Sequence, residues 1–423
     1  MSIFTKTIFT GFAPNLTGRD TRSALSYLLL PWRWLKISSG KYTVMAEKKL
    51  REYFNIKHAY VFDSGRSALY YALKALEVGE GDEILVQAYT CVVVVNAIKF
   101  TGAKPIFIDI NNTFNIDPAG LEKRITPKTK ILIIQHTFGL PANLDLLLAI
   151  AAKHNMKVIE DCAHSLGIKY NGQLVGTFGH IGMLSFGSDK IISCARGGAL
   201  ITNDNEVGDK IKQLSLELPK PKLGKTLQHL MHYPIFYISK PIYHLFIGKF
   251  ILILAKKINI FNKIIYKKEK TGEQVNFYPA KLANSLAHIL NEQINEIGQL
   301  NAHRRKISKI YNQKINNSKI NLPWREAELN GGACLRYPLL TKNPKKLLAY
   351  AKKQGIILGD WYSCVIAPCD SDINKTGYHT GDCPNAERLA AESVNLPTDR
   401  HITEKQADKI IKIINSYNPN YRS

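Results

Sequence analysis

The sequence is short of acidic residues: 34 Asp and Glu stand against 57 Lys and Arg, a formal net charge of +23 over 423 residues. That deficit favours an anionic partner, whether phosphorylated substrate, acidic lipid or nucleic acid, and does not choose among them. Cysteine is sparse as well. The seven present, Cys91, Cys162, Cys194, Cys334, Cys364, Cys369 and Cys383, are odd in number and contain no C-x-x-C pair. This argues against a disulfide framework and a zinc site, so no metal is expected and a reducing cytosol is. The first residues lack the basic segment, apolar stretch and small-residue cleavage site of a secretory signal, and no internal repeat appears, so a mature sequence is expected. What is present is an ordinary globular composition, 45% hydrophobic, with length enough for a large core and a second, smaller domain.

One stretch organises the rest: Ser185-Phe186-Gly187-Ser188-Asp189-Lys190, followed after Ile191 to Ala195 by Arg196-Gly197-Gly198. Lys190 occupies a small, polar turn after an apolar run, so its amine can point into a cleft and bond covalently to a carbonyl. Upstream, strands are expected at 58–62, 83–86, 105–109, 131–135 and 157–160, with helices between them, around 96–100 and 144–154 among others. Such alternation predicts an α/β fold with a mostly parallel sheet covered on both faces, and ligands at the carboxyl ends of its strands. The first strand ends in Asp63-Ser64-Gly65-Arg66-Ser67, where a turn and a helix N-terminus can hold a phosphate. The strand at 157–160 delivers Asp161-Cys162-Ala163-His164. Asp161 is either a helix cap or a carboxylate that pairs with a protonated ring nitrogen, with His164 beside the same ring.

Together these segments resemble the DegT/StrS-type sugar aminotransferases, pyridoxal-phosphate enzymes of the aspartate-aminotransferase (type I) fold. The resemblance runs from about residue 40 to 420. It rests on Ser64-Gly65-Arg66-Ser67-Ala68-Leu69, on His136 to Asp145, on Glu160 to His164, on Ser185 to Lys190 and on Pro384-Asn385-Ala386-Glu387-Arg388. It implies a large domain at 41–275 and a linking helical region at 276–320. An N-terminal arm at 1–40, irregular in its sequence pattern, precedes these, and a smaller α+β domain at 321–423 closes over substrate. It also implies pyridoxal 5'-phosphate as cofactor, Lys190 as its covalent holder and proton carrier, and Asp161 as partner of its ring nitrogen. His164 would lie beside the ring hydroxyl, and Ser64, Gly65, Arg66, Ser67 and Ser185 would hold the phosphate. Asn276 matches the family asparagine that reaches the neighbouring subunit's phosphate, which implies a homodimer. The chain departs from the family pattern at Cys91, where a ring-stacking aromatic is usual, at Arg66 and Arg196, which replace Thr and an acidic residue, and at Tyr278-Pro279, which replaces Arg-Met.

Within the large domain, about 219–275 replaces a short family connection with an apolar and basic insertion. It is too charged and too broken by proline to span a membrane. Residues 228–268, helped by the aromatic and basic block at 27–36, are expected either to dip into an anionic membrane surface or to form an extra helical pair packed on the fold or at a subunit interface. Trp361 and Tyr362 are either core or contacts for a sugar or nucleotide. The reading is a cytoplasmic aminotransferase, peripheral on the inner membrane face, that moves an amino group from glutamate to a nucleotide- or lipid-linked keto-sugar for surface polysaccharide. No nucleic-acid partner is expected. Two alternatives stand beside it: a sugar dehydratase using the amine form of the cofactor, which generally has histidine in place of the lysine, and a membrane-binding protein on a degenerate scaffold.

Overall fold

The computed structural model describes residues 6–11, 13–260 and 262–420. Its centre is a seven-stranded sheet of β1 (His58–Phe62), β2 (Glu83–Gln87), β3 (Lys104–Ile108), β4 (Thr129–Gln135), β5 (Lys157–Asp161), β6 (Ile181–Ser185) and β7 (Gly198–Thr202), in the order β1-β7-β6-β5-β4-β2-β3. Strands from β6 to β3 run parallel, and β7 is antiparallel to both its neighbours. Successive side chains on a strand face opposite ways. Ile84, Val86, Ile131 and Ile133 therefore enter one apolar layer, while Leu85, Leu132 and Ile134 enter the other. Burial on both faces is why these strands read as continuous apolar runs.

The arm is not irregular. Thr17 and Asp20 form a capping box that starts α1 (Gly18–Leu29), with Ala24 and Tyr27 buried in the core. Ahead of it, Ile8–Phe9 pairs in parallel with Ile356–Ile357 and so joins the C-terminal part of the chain. That part holds an antiparallel pair, Tyr337–Leu340 with Ser393–Leu396, and the helices Pro344–Lys353, Pro384–Glu392 and Glu404–Asn415. The thiol expectation is also corrected: Cys364 and Cys369 form a disulfide across five residues of sequence. The two side chains meet because a local loop brings their Cα atoms to 5.5 Å, a fit that spacing alone does not reveal.

α2 (Gly65–Ala75) follows β1, and the two longest helices of the insertion are α3 (Leu223–Ser239) and α4 (Ile247–Lys257). No helix among the described residues is long and apolar enough to cross a membrane. α3 packs on the fold: Leu230, Tyr233, Ile235 and Phe236 are buried, and the Tyr233 hydroxyl donates to the Ser193 carbonyl at 3.3 Å. Within the stretch expected to meet a membrane, these residues of α3 thus face the fold, while Tyr237 and Ile238 on the same helix stay 50% and 57% exposed. α4 packs on α3 through Gly248, Leu252 and Ala255, spaced to share one helical face. Its outward face carries Ile247, Phe250, Ile253 and Leu254, with Phe250 66% exposed.

Candidate active site

Sequence-distant segments converge on a cleft at the carboxyl ends of β1, β5 and β6. β5 is fixed there by a buried clamp. The Glu160 carboxylate accepts from the N–H groups of Gly176, Phe178 and Gly179 at 2.7–2.8 Å and pairs with His136 Nε2 at 3.2 Å. His136 Nδ1 in turn accepts from the Ala142 N–H at 3.0 Å. Cys162 lies beside this pair, but both imidazole nitrogens and both carboxylate oxygens already have protein partners, so the cluster is a brace. The next residue, Asp161, faces the cleft and accepts from the Ala163 N–H at 2.9 Å. Burial pushes its carboxyl above the ordinary value, opposed by that hydrogen bond and by Lys190 and His136. A carboxylate so placed is stabilised by a cation brought against it.

Lys190 reaches the same cleft from the turn after β6, where its N–H bonds to the Gly187 carbonyl at 3.1 Å. Its Nζ lies 3.9 Å from Asp189, which also sits 3.4 Å from Arg336. Burial alone would raise the Asp189 carboxyl; Lys190 and Arg336 together pull it below the ordinary range. From the arm, the Asn15 side-chain amide donates to the Lys190 carbonyl.

His164 is buried between aromatic rings, 6.2 Å from Phe138 and 6.0 Å from Tyr362. Its Nδ1 accepts from the Phe138 N–H at 3.3 Å, so in the neutral ring Nε2 carries the proton. Burial, then Lys190 and Arg336, hold its pKa well below 6.5. The folded protein thus takes up fewer protons here than the unfolded chain, and stability falls as pH drops below about 6.5. Imidazole chemical shifts followed from pH 8 to 5 are expected to stay those of neutral His164 at pH 6.5; half-protonation there would overturn this environment.

Ser64 caps α2: its hydroxyl accepts from the Ser67 N–H at 3.3 Å and pairs with the Ser67 hydroxyl at 2.9 Å. The backbone crowds at this turn. A Cβ on Gly65 would meet Ser185 Oγ at 3.0 Å, and one on Gly198 would meet the Gly65 nitrogen at 2.5 Å. Replacing Gly198 by Ala is expected to cost about 1–3 kcal/mol by overpacking and to weaken phosphate binding at the turn, both read by denaturation with and without cofactor. Unchanged stability would mean that the turn yields freely.

The structure brings Ser64, Gly65, Arg66, Cys91, Asp161, His164, Ser185 and Lys190 together around the cleft. Ser67 stays inside the helix cap, and Asn276 is exposed and outside the cleft lining. Burial pushes the Cys91 thiol up to about 11, so it is a neutral wall. Tyr362 is buried and Trp361 half-buried, both against the cleft. Arg66 is already engaged: its guanidinium pairs with Glu269 and donates to the Ile264 carbonyl at 2.7 Å. Burial would raise Glu269, but Arg66 and Arg196 hold its carboxyl below the ordinary value. Sequence reasoning missed Asn15, and it missed Asn262 to Ile265, which wall the cleft from inside the insertion. Only Arg196 carried a signal, as a basic residue where the resemblance leads one to expect an acidic one.

A lysine and a buried aspartate at the carboxyl ends of parallel strands, beside an anion-holding turn, are the arrangement of a pyridoxal-phosphate-dependent aminotransferase. The chain belongs to the DegT/DnrJ/EryC1/StrS aminotransferase family, whose sequence profile matches residues 30–231 and 253–415. The unmatched 232–252 fall inside the insertion. The chain is 29% identical over 379 residues to a pleiotropic regulatory protein of Geobacillus stearothermophilus, 89% of each sequence. It is 39% identical over 201 residues to a GDP-perosamine synthase of Escherichia coli O157:H7, covering 47% of this chain and 54% of that enzyme. In fold it is similar to Helicobacter pylori PseC, an aminotransferase involved in pseudoaminic acid biosynthesis, with TM-score 0.73, 21% identity and coverage of 97% and 98% of the two chains.

Proposed function

We propose that this protein transfers an amino group from an amino-acid donor, glutamate, to a keto group of a nucleotide- or lipid-linked sugar during surface glycan synthesis. The observation that carries the reading is Lys190, retained in one cleft with Asp161 and the Ser64–Ser67 turn. The residues present fit pyridoxal phosphate: a lysine for its aldehyde, a carboxylate for its ring nitrogen, a turn for its phosphate. When bound, that group supplies an electron-withdrawing ring that stabilises negative charge on the donor α-carbon. Lys190 Nζ would take the donor α-proton and hand it to the cofactor's aldehyde carbon, one amine serving both positions. Ionised Asp161 keeps the ring nitrogen protonated, and His164 Nε2–H is the donor available toward the ring oxygen. Lys190 also disfavours the dehydratase alternative, whose members generally carry histidine there. The test incubates the protein with glutamate and a panel of keto-sugar nucleotides and measures 2-oxoglutarate. No product with any acceptor, while glutamate still converts the bound cofactor to its amine form, would redirect the search to lipid-linked acceptors.

The proposal includes a homodimer, supported by the exposed Asn276, and contact with an anionic membrane. For the latter the support is α4, whose outward face is apolar and edged by Lys249, Lys256 and Lys257. An apolar face beside lysines gains from burial and from roughly 1 kcal/mol per basic residue near an acidic surface. Co-sedimentation with vesicles of acidic lipid is expected, weakened by salt and lost on replacing Phe250, Ile253 and Leu254 by Ser. If the protein stays in the supernatant at low salt, and those substitutions instead break the dimer, the face is a subunit interface.

A further inference from the structure

Arg196 is 5% exposed, and its Nε and Nη2 have no hydrogen-bond partner among the described residues. Its guanidinium carbon lies 4.7 Å from the Tyr278 ring centroid, 5.6 Å from Phe277 and 5.7 Å from Tyr266. Three rings steady the cation's faces, yet they leave its N–H edges unsatisfied, and a buried guanidinium without an anion is costly. Lys225 packs on two of the same rings, 4.7 Å from Phe277 and 5.2 Å from Tyr266. Lys263 lines the cleft beside them. Among the described residues no carboxylate comes within 4.0 Å of any of these three cations. Two carboxylates feel the Arg196 charge without pairing with it: Asp63, which burial pushes up, and Glu269, which is paired with Arg66.

The position of this unpaired charge is defined. Arg196 lies two residues before Gly198, whose Cα has no room for a side chain against Ser64 and Gly65. Arg196 therefore stands beside the turn that holds phosphate, and it lines the same cleft. Ala195, just before it, has a left-handed φ of 65°, and its carbonyl accepts from the Asn262 side chain at 3.1 Å. The insertion thus pins the backbone that presents Arg196. Arg66, the other arginine of the cleft, is committed to Glu269 and Ile264.

We propose that Arg196 is the cationic anchor of the cofactor's phosphate, supplied by the same chain that carries Lys190, with Arg66 holding the insertion down instead of binding the anion. A phosphate dianion would satisfy the open N–H edge with charge-assisted hydrogen bonds. This rests on the aminotransferase reading through the identity of the cofactor. A phosphate from another source, such as the acceptor's, would share the chemistry, so the test separates them.

Full-length protein freed of cofactor is titrated with pyridoxal phosphate, with pyridoxal, which lacks the phosphate, and with inorganic phosphate alone, followed by fluorescence and calorimetry. Arg196→Gln is expected to weaken pyridoxal phosphate by about 10- to 100-fold, to leave pyridoxal unchanged and to abolish inorganic phosphate binding. Arg196→Lys should recover part of the loss. Equal weakening of both pyridoxal forms would make Arg196 merely structural, and an unchanged affinity for pyridoxal phosphate would also overturn the proposal. If the variant loses only the affinity for sugar nucleotide, the phosphate belongs to the acceptor and the assignment to the cofactor is wrong. Should wild-type protein bind neither pyridoxal form, the aminotransferase reading fails. The inorganic phosphate arm then decides the anion site: binding lost in Arg196→Gln sustains it, and binding retained overturns it.

Discussion

Replacing Lys190 by Ala is expected to lower amino transfer by at least about 10⁴-fold, because one amine both holds the cofactor and moves the proton. The same substitution removes covalent attachment: borohydride should fix a pyridoxyl label on the wild-type protein at Lys190 and none on the variant. The competitor is specific. Lys263 also lines the cleft, and a label found there in wild-type protein would transfer the covalent role to the insertion. The geometry favours Lys190, which stands beside Asp189 at 3.9 Å and whose turn is fixed by the Gly187 carbonyl and the Asn15 amide. The chain at 262–265 is instead held by the Asn262 side chain on the Ala195 carbonyl and by Arg66 on the Ile264 carbonyl, and no hydrogen bond or ion pair of Lys263 orients its amine among the described residues.

Asp161→Asn should retain cofactor and slow turnover by several orders of magnitude, since a neutral amide no longer stabilises a protonated ring nitrogen. Wild-type-like turnover would remove Asp161 from the chemistry. The same variant carries an opposite effect on stability. Burial raises the Asp161 carboxyl above 3.8, so in cofactor-free protein the folded state holds this proton more tightly than the unfolded chain. That contribution is complete at low pH and lost as pH rises through the folded value. Cofactor-free Asp161→Asn should therefore melt higher than wild type at neutral pH, with the gap closing toward pH 4. A lower melting temperature at pH 7 would mean that the ionised carboxylate has a cationic partner even without cofactor.

Much of this was legible in the sequence because function sits where periodicity changes. The strands expected at 58–62, 131–135 and 157–160 are short, mostly apolar runs, and each hands its chain to a polar residue at the carboxyl end. Asp161, Ser185 and Lys190 could be placed from that pattern together with the resemblance. Hydrophobicity could not separate Tyr233 from Phe250, since it does not say which face of an inserted helix meets the core. The Cys364–Cys369 bond needed a loop geometry, and the helix at Gly18–Leu29 needed the weight of one Thr17–Asp20 cap. Arg196 was visible as an oddity, but its meaning depended on Arg66 being spent on Glu269, a pairing across 203 residues.

Asn15 bears on where this chain can be cut. Its side chain donates to the Lys190 carbonyl and accepts from Arg304 Nη2 at 3.2 Å. Arg304 also donates to the Leu335 carbonyl at 2.9 Å and to Thr398 at 3.1 Å, and burial brings its guanidinium down to about 10. A fragment beginning at residue 41 keeps the central sheet and the motifs from Ser64 to Lys190. It would leave the lysine's carbonyl and a buried arginine without their shared amide. Such a fragment is a poor basis for expression or crystallisation, and an inactive one would say nothing against the assignment of Lys190.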